Sequence, residues 1–552
     1  MSITRRALVG LAGVAACEVA LAGCSDGPSD DAVGDRATID KAQSVGAMED
    51  YGVGVTFKAT EPVEFSLMYR DHTNYPVQDD WSFFRHLKDD HNVTFSRTDI
   101  PMADFDQKKS LLIGSGEATD IISSTYGGSE TQFISGGTIL PVSSYFHYMP
   151  HFQQKIQDWG LQEDLENKRQ ADGGIYHLPG LREVPDVQYS VVIREDMWER
   201  AGLAEDPATW DEFQQQLQQV QEANPEIDYA MSDRWTDSRT LGSLLNVMAV
   251  NYGTSAGWGY ANTHYDESAG AYVFTGATEE YRELVSYAAG LIAAGTLDPE
   301  VTQNDDQAVQ KFISGRTAAI SGNTQTLVEY RTKFADADKG DVPIRLLSIP
   351  GGPDGSNLPS GRFTSGLLIS SKAAEQPYFK ALLQLVDWLY YSDEGLEFAQ
   401  WGVEGETFTR GSDGTRVLNE DIAWSSINAG APKLLNADYG YSNGVFLVAN
   451  GSSKDLVLSM MTEEIADWTE RQLDGKEQLP TAPAAQLDEI ELEQTSLLQT
   501  QLSDAVQAAT AEFITGQRSV VDDWDAYVAE AESLGADQLI GTINAALERT
   551  QN

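Results

Sequence analysis

Apolar and polar residues alternate through Val63-Glu64-Phe65-Ser66-Leu67, and the run ends in a polar stretch after Asp71. A period of two predicts a strand with one buried face. The next segment, WSFFRHLKDDHNVTF, changes to helical spacing and then back to strand. FDQKKSLLIGSGEATDII repeats the scheme: a helix, a Gly-containing turn and the short apolar strand Ile121-Ile122. Strands alternating with helices indicate βαβ units and a largely parallel sheet. Further on, Thr209-Trp210-Asp211-Glu212 is a capping box that opens a helix. Tyr281, Leu284, Val285, Ala288, Leu291 and Ile292 form one helical stripe, which Gly295 stops. YFKALLQLVDWLYYSDEGLEFAQ predicts a more deeply buried helical region, and the tail from about 485 to 551 is helical with breaks at Gly516 and Gly535.

The chain starts differently. Arg5 and Arg6 precede an uncharged, mostly apolar run from Ala7 to Cys17, and small residues follow. That is the layout of a secretory signal peptide over residues 1–23, too short for a membrane span. Leu21-Ala22-Gly23-Cys24 resembles a bacterial lipobox, which implies lipid on the Cys24 thiol; the alternative is an ordinary cleavage site. The paired arginines also resemble a twin-arginine signal, so two export routes stay open. Residues 24–60 are rich in Asp, Ser, Gly and Ala and predict a flexible tether. No other stretch of ~20 apolar residues follows.

Composition limits the partners. Removing 1–23 leaves about 529 residues, enough for two large lobes. Cys17 leaves with the signal and Cys24 would carry lipid, so the mature fold is expected to contain neither disulfide nor thiolate metal site. The formal charge of -48, from 85 acids against 37 bases, repels nucleic-acid phosphates and anionic lipid. It also favours a mostly neutral ligand over uronates, unless arginines such as Arg234 and Arg362 converge locally.

At this point the order of segments resembles the extracellular solute-binding proteins of sugar-importing ABC transporters, the group that contains maltose-binding protein. The blocks DGGIYHLPG, VVIREDMWERAGLAEDPATWDEF, VFTGATEEYRELVSYAAGLIAAGTLDPE, IPGGPDG, SDEGLEFAQWGVEGETF and FITGQRSVVDDWDAYVAEAESLGADQLI, with LLIGSGEATDII before them, run in the family's order from about residue 63. The likeness is greatest to the large lipoprotein branch of alginate-oligosaccharide binders. It implies two α/β lobes joined by crossing segments near 188–190, 350–360 and 390, with the ligand in the cleft between them. Lobe one would hold 61–188 and 358–391, and lobe two 189–357 and 392–552. It further implies hinge closure around the ligand and docking of the closed form on permease subunits. One departure concerns calcium: the stretch after the capping-box helix, EANPEIDYAMSD, lacks the D-x-[DN]-x-[DN]-G pattern, so no metal and no cofactor is assigned.

A sugar cleft needs aromatic faces and planar polar groups, and open α/β sheets bind ligands beyond their strand ends. That rule singles out Tyr69, Asp71 and Tyr75 after the first strand, and Tyr126 after the strand that ends DIISS. Asp233, Arg234 and Trp235 lie where the resemblance to maltose-binding protein implies sugar contacts. Trp258 stands in GTSAGWGYAN, and Asn323 and Gln325 in AISGNTQT. Arg362 and Phe363 at the second crossing, with Trp401 and Glu404 in WGVEGETF, complete the candidates; core packing is the competing role for each aromatic. Trp388, inside an apolar helix, reads as core.

Enzyme signatures fail on spacing. Gly253-Thr254-Ser255-Ala256-Gly257 matches G-x-S-x-G, but the only later histidine is His264, too near for a triad in that order. The seven histidines form no HExxH, and no phosphate loop occurs. A glycosidase would need two carboxylates at about 5–9.5 Å; 85 acids leave such a pair open, so it stays the main enzyme alternative, although nothing in the spacing supports it and the family resemblance opposes it. The sequence therefore points to a lipid-anchored, monomeric oligosaccharide receptor on the outer face of the cell membrane, serving ABC permease subunits. The alternatives are a receptor for a peptide or other polar solute, and a surface adhesin that holds glycans without transport.

Overall fold

The structure is a computed structural model that describes residues 36–236, 239–443 and 451–551. The signal peptide and Cys24 lie outside the described residues. Two sheets organise the chain. The first has the order β2-β1-β3-β9-β4, built from β1 (Val63–Asp71), β2 (Val93–Pro101), β3 (Ile121–Thr125), β4 (His177–Leu181) and β9 (Phe363–Ile369). The second has the order β8-β5-β7-β6, from β5 (Tyr189–Arg194), β6 (Tyr229–Ser232), β7 (Thr317–Asn323) and β8 (Ile344–Leu346).

Alternation along the strands builds a core on each side of both sheets. Phe65, Leu67 and Tyr69 of β1 point into one apolar cluster while Met68 joins another on the opposite face. In β5, Val191 and Ile193 face one way and Val192 the other. Each fully buried side chain of this kind is worth roughly 1.5–3 kcal/mol. Helices cover both faces, giving two α/β lobes.

The sheets are mixed rather than largely parallel. β1 runs parallel to β2 and β3, but β9 is antiparallel to β3 and β4. In the second sheet β6 and β7 are parallel, and β5 is antiparallel to β7 and β8. The reversal follows from topology: β9 enters its sheet from the other lobe, not through a helical crossover of its own.

Three expectations about boundaries change. The segment 392–456 was expected in lobe two, yet Leu396, Phe398, Trp401, Phe408, Tyr441 and Leu456 lie in the first lobe's core. Ser392 caps Gly395 N–H at 2.9 Å, and a Cβ on Gly395 would stand 2.0 Å from the Trp388 carbonyl oxygen. Helices Phe379–Tyr391 and Asp393–Trp401 thus fold tightly on each other, and the chain does not cross near 390. It crosses between Leu456, in the first core, and Ile465, in a second-lobe cluster. The segment then returns along the second crossing, where Glu477 and Gln478 pair with Asn357 and Leu358.

The third change concerns the tether. Residues 46–60 dock on the first lobe, because Phe57 and Ala59 are apolar and fully buried there. Met48 exchanges two hydrogen bonds of 2.9 Å with the Gln384 amide. Gly54 N–H donates to His151 Nε2 at 3.1 Å, which leaves His151 Nδ1–H to donate to Asp387 at 2.8 Å. Tyr51 O–H donates to the same carboxyl at 2.9 Å.

The helices follow their capping signals. Thr209 accepts from Glu212 N–H at 3.2 Å, while the Glu212 side chain takes Ala208 N–H at 2.8 Å in place of the Thr209 N–H of a complete box. Thr278 caps helix Glu279–Ala293, and Tyr281, Leu284, Val285, Ala288 and Leu291 are buried. Among the described residues no helix is long and apolar enough to cross a membrane.

Candidate functional site

The first and second crossing segments line two adjoining cavities. The larger, about 1270 Å³, runs along Asp186–Tyr189 and 357–360 and is walled by second-lobe loops. The smaller, about 490 Å³, opens onto the first lobe beside Tyr126 and Phe363. Asp186 and Gln188 line both.

Tyr189 lines the larger cavity, and two further aromatic rings pack against it. Tyr189 begins β5, pairs in register with Asn323 at the end of β7, and stays about one-third exposed. Its ring lies 5.9 Å from Trp235 and 5.1 Å from Trp258, and the two indoles are 5.6 Å apart, all edge-to-face. Edge-to-face packing fixes each ring against the next. Sequence reasoning passed over Tyr189, because YSVVIR reads simply as a strand.

The backbone around the trio is forced. Trp235 has a φ of 60°, a left-handed conformation that a bulky residue rarely adopts. Such strain costs about 1–3 kcal/mol, and it is offset where surrounding contacts determine it. Here Trp235 N–H donates to Asp305 Oδ1 at 2.8 Å, and the Arg234 guanidinium lies 4.7 Å over the indole. Arg234 is itself held by Glu329 at 2.9 Å and Asp305 at 3.2 Å. It orients Trp235 and is not available as a free cation for a ligand. Trp258 is brought in by a close approach of backbones: Gly257 has a φ of 59°, and a Cβ on it would stand 2.2 Å from the Gly242 carbonyl oxygen. The G-x-S-x-G match is therefore a packing device. It follows a 3-10 helix, Val250–Tyr252, rather than a strand, and Ser255 bonds to the backbone of Ala261.

The remaining candidates divide. Asn323 caps the turn that opens the next helix: its Oδ1 accepts the N–H groups of Gln325 and Thr326 at 3.0 and 2.9 Å, while Gln325 holds the N-cap position without a side-chain bond. Asp233 is wholly buried, accepting from Ser321 Oγ and from Leu244 N–H at 3.2 Å. Burial pushes its carboxyl up to about 7 against the pull of those donors. Tyr69 is buried and accepts from Asn443 at 2.9 Å, and Asp71 accepts Val77 N–H at 2.8 Å, closing the loop in which Tyr75 stacks on His72 at 4.0 Å. Tyr126 is 59% exposed on the rim of the smaller cavity, with Phe363 nearby.

Three expected ligand groups are placed in other roles. Arg362 donates to the Trp159 and Gly160 carbonyls at 2.9 and 3.3 Å and pairs with Asp164 at 3.6 Å, tying the crossing to the first lobe. Trp401 is 1% exposed in the first core with its indole N–H on Ser459. Glu404 pairs with Arg410 at 3.3 Å and lines neither cavity. The sequence shows that these residues sit beside glycines and turns but not what packs over them.

His177 begins β4 and lines the smaller cavity. Its Nε2–H donates to the Thr125 carbonyl at 3.0 Å, while Nδ1 has no partner. Burial first, then the charges of Lys168 and Lys109, push the imidazole down to about 4. The unfolded chain therefore takes up this proton near pH 6.5 before the folded one does, so stability falls as pH drops from 6.5 to 4, by at most about 3 kcal/mol. Asp233 acts with opposite sign: its raised value removes stability as pH climbs from about 4 to 7. Urea titrations of His177→Gln against wild type across this interval should show the variant losing less stability toward acid. Equal slopes would contradict this placement of the histidine.

Among the described residues no group of three or more His, Cys, Asp or Glu side chains is placed to hold a metal. The chain belongs to the bacterial extracellular solute-binding protein family, whose profile matches residues 73–394, more than half its length. Its fold is similar to that of an extracellular solute-binding protein from Bifidobacterium longum subsp. infantis (TM-score 0.65, 16% identity, covering 90% of this chain and 100% of that one). It is likewise similar to the alginate-binding protein AlgQ2 (0.63, 18%, 90% and 99%) and to the S. pneumoniae ABC-transporter substrate-binding protein FusA in complex with kestose (0.60, 17%, 89% and 99%). At these identities the likeness establishes the two-lobed fold. No protein with a curated description matches the sequence.

Proposed function

We propose that the chain captures an oligosaccharide between its lobes and delivers it to the permease of an ABC importer, acting as a monomer held at the outer face of the membrane by lipid on Cys24. The observation that carries this reading is Tyr189, which lines a chamber of about 1270 Å³ and packs edge-to-face against Trp235 and Trp258. Drug-sized ligands occupy about 300–1,000 Å³, so this chamber has room for several sugar units. Sugar rings present C–H faces that pack on aromatic rings, and the polar edges of Gln188, Asp186 and Asn357 along the chamber suit hydroxyl groups. The relatives that bind alginate and kestose support the ligand class.

Calorimetric titration of residues 25–552 with neutral and acidic oligosaccharides tests the proposal. Binding of one series in the sub- to low-micromolar range is expected, weakened about tenfold by Trp258→Ala, in line with one truncated aromatic contact. Absence of binding across the panel would favour a peptide or other polar solute. Turnover of any glycan would identify an enzyme.

A further inference from the structure

The smaller cavity carries an electrostatic character opposite to that of the protein. Lys168 lines it and makes no ion pair within 4 Å among the described residues, in a chain with 85 acids and 37 bases. Arg182 lines it too and is only 9% exposed; one of its nitrogens holds Asp186 at 3.0 Å, while its Nε–H is buried without a partner. His177, 1% exposed, turns its unpartnered Nδ1 toward Gly127 on the same wall. Because Nε2 carries the proton, Nδ1 is an acceptor and suits a hydroxyl. Buried polar groups without partners are rare in native proteins, and two of them beside one cavity, next to a lysine without an ion pair, mark a place for a ligand.

The neighbouring chamber is the reverse. It is lined by carboxyl groups from several segments, among them Asp266, Glu280 and Asp354, and, among the described residues, by no lysine or arginine. Burial and the charges of Glu280 and Glu267 raise the Asp354 carboxyl, showing that these groups act on one another.

We infer that, within the oligosaccharide-binding reading above, the ligand bears a single carboxylate on one terminal unit, seated between Lys168 and the Arg182 Nε–H, with a hydroxyl of that unit on His177 Nδ1 and its neutral remainder in the chamber. Charge counting selects a monoanion. Asp186 offsets the Arg182 charge, and the buried Glu130 carboxyl, held by Gly128 N–H at 2.6 Å, acts on Lys168 through space without pairing with it. The cluster therefore carries at most one net positive charge, which a carboxylate matches better than a doubly charged phosphate. A polyuronate would place further anions against the acidic chamber. Tyr126, exposed on the rim, offers a face for stacking the terminal ring. This refines the preference for a mostly neutral ligand drawn from net charge by adding one carboxylate, and assigns the compensating cations to Lys168 and Arg182 in place of Arg234 and Arg362.

The test uses the mature chain and three forms of each of four trisaccharides (cellotriose, maltotriose, β-galactotriose and β-mannotriose): neutral, oxidised at C6 of the non-reducing terminal unit only, and oxidised on all three units. In the series that binds, the singly acidic form should bind at least tenfold tighter than the neutral form and also tighter than the triply acidic one. Lys168→Met should bring the ratio of singly acidic to neutral affinity close to one, with the thermal midpoint of the fold retained. Equal or weaker binding of the singly acidic form, or a ratio unchanged in Lys168→Met, would overturn the inference and leave the oligosaccharide reading standing. No binding in any series would overturn both.

Discussion

Tyr189→Ala should reduce oligosaccharide affinity at least about 100-fold, the scale of a central aromatic anchor, and leave the urea midpoint near that of wild type. The phenol both lines the chamber and touches the two indoles, at 5.9 and 5.1 Å. Its removal deletes one stacking surface and frees the other two from their fixed angles. The stability cost is small because the side chain is already one-third exposed and the strand is paired through its backbone. Tyr189→Phe should recover most of the affinity, since the ring rather than the hydroxyl carries the contact. Titration calorimetry of the three proteins reads the result. An alanine variant that binds like wild type would remove the trio from the site.

The second large effect concerns stability. Asp387→Ala should lower unfolding free energy by about 3–5 kcal/mol, the range for deleting one member of a buried, hydrogen-bonded polar network. The Asp387 carboxyl is fully buried and accepts from Phe152 N–H at 2.8 Å, His151 N–H at 3.1 Å, His151 Nδ1 at 2.8 Å and Tyr51 O–H at 2.9 Å. Truncation strands the two backbone N–H groups, leaves His151 Nδ1 and Tyr51 O–H only each other at 3.1 Å, and releases residues 46–60 from the first lobe. Tyr51→Phe removes one donor without stranding any and should cost about 1 kcal/mol. Denaturant titration with limited proteolysis near residue 50 distinguishes the two. Early cleavage there in Asp387→Ala only is the expected pattern, and equal cleavage in wild type would contradict the docking role.

These two sites differ in how far the sequence disclosed them. The alternation in β1, the stripe from Tyr281 to Ile292 and the ordered family blocks were sufficient for two α/β lobes, because each depends on neighbours within one element. Trp235 and Trp258 stood out because glycine, aspartate and serine around them signal loops at strand ends. Tyr189 did not, since an aromatic at the start of an apolar strand carries no mark of the cleft beyond it. Lys168, His177 and Arg182 converge only when β4 pairs with β9 and the first crossing turns back beside them. Trp401, Glu404 and Arg362 resembled site residues by their glycine-rich surroundings, yet tertiary packing gives each a structural partner. The same limit explains the segment 392–456. Its pattern fits either lobe, and the tight fold at Gly395, set by clearance of about an atom's width, decides which.

Docking of residues 46–60 also bears on the lipid anchor proposed above. With lipid on Cys24, the span between membrane and folded body would be shorter than the expected tether of residues 24–60. The Asp387 network would then hold the end of that span to the lobe that carries Lys168 and Tyr126.

The central claim is that ligand lies between the lobes against the aromatic trio. A crystal structure of residues 25–552 with the tightest oligosaccharide from calorimetry tests it most directly. The account predicts sugar rings packed on Tyr189, Trp235 and Trp258, flanked by Asp186 and Gln188. A sugar bound on one lobe's outer surface, with those three rings uncovered, would contradict it.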